Sequence, residues 1–151
     1  FGATAAEIPA GQRPIYHLVA TMMAGAMPTV AAVAMEIAGR SRLPAEVRPG
    51  FARLATDALA KALALADPAA GITGPAARGD QRTFLFELGE LARIAPEAVP
   101  VVVALARESL RQRSRLTAPD PPRIALAELL VCADLLDLTK DRVLTWREPS
   151  G

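Results

Sequence analysis

The chain has 151 residues, of which 52% are hydrophobic but only 4% aromatic, so one helical domain packed by alanine, leucine and valine is expected, and two domains would be crowded. Seventeen basic against sixteen acidic residues leave a formal net charge of +1, which supplies no field to attract a nucleic acid. One histidine and one cysteine exclude an internal disulfide and leave too few ligands for a structural metal.

The first twelve residues, "FGATAAEIPAGQ", lack a period and read as an extended lead-in. Pro14 suits a first helical position, and the helix it opens runs to about Ile37, with Pro28 expected to kink it. Within it, Leu18 to Met35 is eighteen residues without a charge. That length meets the threshold for a membrane span, but its alanines, threonines, glycine and proline favour a buried central helix of a globular domain. The run lies too far into the chain, without a basic leader, for a signal peptide.

A second helix is predicted from Pro44 to about Ala66, with Val47, Phe51, Leu54, Ala58, Ala62 and Leu65 on one face. Asp67-Pro68 ends it. The stretch "GITGPAARGD", Gly71 to Asp80, reads as a turn between helices, and Asp80 is a candidate N-cap for a third helix reaching Ile94. A fourth begins at Pro96-Glu97 and carries the basic run Arg107, Arg111, Arg113 and Arg115, which a helix C-terminal end accommodates through its dipole without any phosphate ligand. "TAPDPP" is a stiff linker, after which Asp120 caps a fifth helix from Pro121 to about Asp137. Cys132 in "LLVCADLL" packs as a small hydrophobe and fits a reducing, cytoplasmic setting. The tail can add a short extended piece around Val143 to Trp146.

The turn is no phosphate cradle: "GITGPAARG" lacks the dinucleotide glycine spacing, a preceding strand and a Walker lysine. The tripeptide Arg78-Gly79-Asp80 is too short to read as an adhesion signal in a helical domain of this kind. His17 shares a helical stripe with Thr21, Ala24, Pro28 and Ala32 and has no acidic neighbour to orient it, so the residues alone favour a packed or interface histidine over a general base.

Two stretches together, "RPIYHLVATMMAG" (Arg13 to Gly25) and "GITGPAARGD", resemble the C-terminal helical domain of a bacterial family of Rossmann-type oxidoreductase-like proteins, that half being known as domain of unknown function 2520. The resemblance covers roughly Ile8 to Arg111. It implies an all-α fold of five to six helices akin to the C-terminal domains of ketopantoate reductases and of 6-phosphogluconate dehydrogenase, organised around the long apolar helix. It also implies a homodimer, an N-terminal Rossmann domain as partner, and NADP as a cofactor that this chain alone does not hold. Carried onto these positions, Tyr16, Thr73, Arg78 and Asp80 face the interdomain cleft and His17 is the candidate catalytic group. Where the family has Ser-Asn after the histidine, this chain has Ala24 and Gly25, and it contains no asparagine at all. A hydrogen-bond donor for a substrate carbonyl is thereby missing. The organisation expected is a lead-in over 1–12, a dimerisation and substrate domain over 13–116, and a C-terminal helix and tail over 117–151, with neither nucleic acid nor membrane as partner.

Overall fold

The computed structural model describes residues 6–118 and 120–135, the side chains of 131–135 excepted. It is all-α, with no strand among the described residues. The expectations for Cys132 and for Val143 to Trp146 lie outside them.

The first helix is a continuous rod, Ala10–Arg40, of 31 residues, about 46 Å long at 1.5 Å per residue. It comprises α1 (Arg13–Thr21), a π-helical turn (Met22–Ala26) and α2 (Met27–Arg40). The wide turn has a local cause. Pro28 has no amide hydrogen and its ring would crowd the carbonyl one turn back, so an extra residue in the preceding turn relieves the clash. Thr29 Oγ1 donates to the Gly25 carbonyl at 2.9 Å and satisfies an acceptor there. The rod ends where Arg42 turns left-handed at φ 55, with Arg42 and Leu43 amides bonded back to Gly39 and Ala38.

Residues 48 to 63 form α3 (Arg48–Leu63), which leads into a 3-10 turn, Pro68–Gly71, started by Asp67 Oδ1 accepting from the Ala69 amide at 2.9 Å. A single helical turn, α4 (Pro75–Arg78), precedes α5 (Gln81–Ile94). Then come α6 (Val99–Ser114) and α7 (Pro121–Leu135). As the sequence suggests, Asp80 caps α5 by accepting from the Thr83 amide at 3.1 Å, and Asp120 caps α7 by accepting from the Arg123 amide at 3.1 Å.

The core is built by α5, α6 and α7. Phe84, Leu88 and Leu91 from α5 meet Val99, Val103, Ala106 and Leu110 from α6, and Leu126 and Leu130 from α7 are fully enclosed. Their spacing by three and four places each set on one helical face. The expectation that the Leu18 to Met35 helix lies at the centre is not met within one chain. Among the described residues only Val33 and Ile37, near its C-terminal end, pack on the core, and none of those residues covers the apolar stretch before them. Periodicity says that a face must be covered, and here the chain's own core is already closed by α7. Arg40 ties the base of the rod to the 3-10 turn Pro96–Ala98, which leads into α6, through an ion pair with Glu97, and also pairs with Glu36 at 2.5 Å.

Candidate functional site

The Gly71 to Asp80 stretch is a joint with a fixed backbone. Gly71 sits against α3, where a Cβ would come within 2.9 Å of Ala62. Gly74, at φ 105, adopts a conformation closed to side-chain-bearing residues and lets Pro75 begin α4. At the other end Gly79 is left-handed at φ 72. Its amide bonds to the Ala76 carbonyl at 3.0 Å and that of Asp80 to Pro75 at 2.9 Å, the two bonds of a Schellman stop. A Cβ on Gly79 would lie 2.7 Å from the Arg123 nitrogen, so the joint rests directly on the first turn of α7.

On this frame Thr73 and Arg78 point to solvent, and Asp80 is half-buried. The Thr83 amide holds the Asp80 carboxyl below its ordinary range, and the charges of Arg78 and Arg82 act in the same direction. The Arg78 guanidinium makes no hydrogen bond among the described residues and acts on Asp80 through its charge. The arrangement offers a cation on a rigid support, next to a carboxylate committed to helix capping.

Tyr16 and His17 are elsewhere. Both are exposed on α1, Tyr16 to 60%, and no element outside the rod packs substantially on that helix. His17 lies sixteen residues from the docked Val33, roughly 24 Å along the axis. Of the five sequence-derived candidates, the chain thus carries Thr73, Arg78 and Asp80 on one joint and leaves the Tyr16-His17 pair apart.

The basic run on α6 is internally matched. Arg111 donates to both Glu108 oxygens at 2.7 and 2.5 Å, Arg115 reaches Gln112, and Arg113 reaches the carbonyls of Ala69 and Ala70. Arg111 first, then Gln112, lowers the Glu108 carboxyl from 4.5 to about 2. Sequence reasoning did not anticipate the open cleft of about 580 Å³ between α6 and α7, with Leu110, Ile124 and Ala127 inside and Arg107, Arg111 and Glu108 along it. Its only signal was the apolar spacing of α7 opposite a helix rich in arginine.

A family model described as a domain of unknown function, DUF2520, matches residues 1–112, nearly three quarters of the chain. The chain belongs to this family. No curated protein and no solved structure matches it. The match spans the rod, α3, the joint, α5 and most of α6, and stops before α7. In this DUF2520 chain the two fully enclosed leucines of the core, Leu126 and Leu130, therefore come from beyond the matched segment.

Proposed function

We propose that this DUF2520 chain is the C-terminal, substrate-side and dimerisation domain of a Rossmann-type, NADP-linked oxidoreductase-like protein. The observation that carries the reading is Arg78: an exposed guanidinium, free of hydrogen-bonded partners among the described residues, on a backbone fixed by Gly74, Gly79 and the start of α7. Binding groups act best from supports that do not reorganise. Such a cation suits a carboxylate or phosphate of a substrate lying between two domains. Thr73 and Asp80 shape the turn, and His17 with Tyr16 would orient substrate or move a proton.

The residues present do not themselves fit a dinucleotide. The amide of Thr83, the natural anion contact at the start of α5, is already taken by Asp80, whose charge repels a phosphate. Cofactor binding thus falls to the Rossmann half, and no step through NADP is assigned to this chain.

A second reading, a helical dimerisation module without catalysis, draws on Ala24 and Gly25 standing where the family has Ser-Asn. Titration of NADPH and of small anionic carbonyl compounds into the intact protein, with its Rossmann half, separates the two. Loss of anion binding in Arg78→Ala, and of turnover in His17→Ala, supports the first reading. Unaltered binding and turnover in both variants would falsify it and leave the second.

A further inference from the structure

We propose that the segment following α7, residues 136–151, folds back into the cleft between α6 and α7, seating Leu144 and Trp146 on its apolar floor and bringing Arg142 to Glu128. The inference is independent of the anion site at Arg78 and of any pairing of chains.

The cleft asks for a particular cover. Its floor is Leu110 from α6 with Ile124 and Ala127 from α7, and Ile124 is 44% exposed. The volume of about 580 Å³ lies within the roughly 300–1,000 Å³ of sites that hold a drug-sized group, and an indole with a leucine beside it is such a group. The cations on the walls are already committed: Arg111 to Glu108, Arg123 to Asp120, and Arg107 is engaged as well. Glu128, by contrast, lines the cleft, is exposed, and has no ion-paired or hydrogen-bonded partner among the described residues. An occupant with an apolar side and a cation fits these walls; a small anion finds no uncommitted donor.

The chain supplies that occupant within reach. In the extended conformation expected around Val143 to Trp146, the two-residue period of a strand puts Arg142, Leu144 and Trp146 on one side. Leu135, the last residue of α7, lies roughly 10 Å beyond Glu128 and roughly 16 Å beyond Ile124 along the helix axis. Residues 136 to 143 span up to about 26 Å when extended, enough to reverse direction and return. Running antiparallel to α7, the segment brings Trp146 to Ile124, Leu144 beside Ala127, and the Arg142 guanidinium to Glu128. Tethering favours this occupant over a free one, because a segment on a short linker has an effective concentration on the order of millimolar. One wall of the cleft is α7, which lies beyond the segment that the family model matches, residues 1–112.

Trp146 is the only tryptophan of the chain, so its fluorescence reads the cleft directly. In the 151-residue chain its emission should be blue-shifted and shielded from acrylamide, equally at low and high protein concentration. Ile124→Glu and Leu144→Glu should each return the emission to that of a solvent-exposed indole and remove most of the shielding. Circular dichroism should stay helical for Ile124→Glu, since Ile124 is not part of the enclosed core. Glu128→Lys should weaken the shielding, and adding Arg142→Glu should restore it, a rescue that general destabilisation would not give. An indole as accessible as free tryptophan in the unmutated chain would overturn the proposal, as would shielding indifferent to both glutamates. Shielding that grows with protein concentration would overturn it too, by assigning the cleft to a second copy. Should Ile124→Glu lose helicity, the charge swap between Glu128 and Arg142 decides, and absence of rescue there sinks the proposed register.

Discussion

Gly79 concentrates two constraints in one residue: a left-handed backbone and a 2.7 Å approach to the Arg123 nitrogen. Gly79→Ala should therefore lower the melting temperature far more than Gly89→Ala, whose added methyl meets nothing within 4 Å and favours the helix. At Leu126, which is fully enclosed, truncation to alanine should lower unfolding stability by about 2–5 kcal/mol in a denaturant titration. Glu108 supplies the pH dependence. Its folded value, about 2, lies below the ordinary 4.5, so its stabilising contribution is complete above about pH 4.5 and fades as the pH falls through 2. Solvent exposure keeps that contribution small. A carboxyl NMR titration should place the Glu108 midpoint near 2, and Arg111→Ala should move it toward 4.5.

Element boundaries were well written in the sequence, because each rests on a short-range device. Asp80 and Asp120 cap the helices they precede, and Pro14 and Pro121 stand in first turns. The joint at Gly71 to Asp80 was legible too, as its glycines and proline leave little else to build. What periodicity does not encode is the identity of the covering surface. Leu18 and Val19 read as core residues and stand in solvent, because the centre of the bundle is filled by Leu126 and Leu130 instead. The separation of His17 from Arg78 was hidden for the same reason: a helical stripe locates a residue on a face, not against a neighbour. Since α7 completes the core, ending the chain at residue 116 should abolish cooperative thermal unfolding.

At the scale of the molecule, a compact bundle of α5, α6 and α7 carries a long rod held by Val33, Ile37 and the Arg40–Glu97 pair. If association completes the fold, stability becomes a function of protein concentration. The melting temperature should rise on going from about 1 to about 100 μM. The π-helical turn at Met22–Ala26 adds a consequence of another kind. A surplus residue that continues an α-helix turns everything beyond it by about 100°, whereas a π-helical turn takes it up locally, so the rod's tip and base keep nearly the phase of an uninterrupted α-helix. Deleting Ala24 should therefore convert the turn to regular α-helix and leave the Leu18 and Val19 face close to its present direction relative to Val33, while restoring the Pro28 clash that the wide turn relieves. The wide turn is thus the one place along the rod where the residue count can drop by one without misaligning its ends, whereas the same deletion elsewhere would swing one end by about 100°.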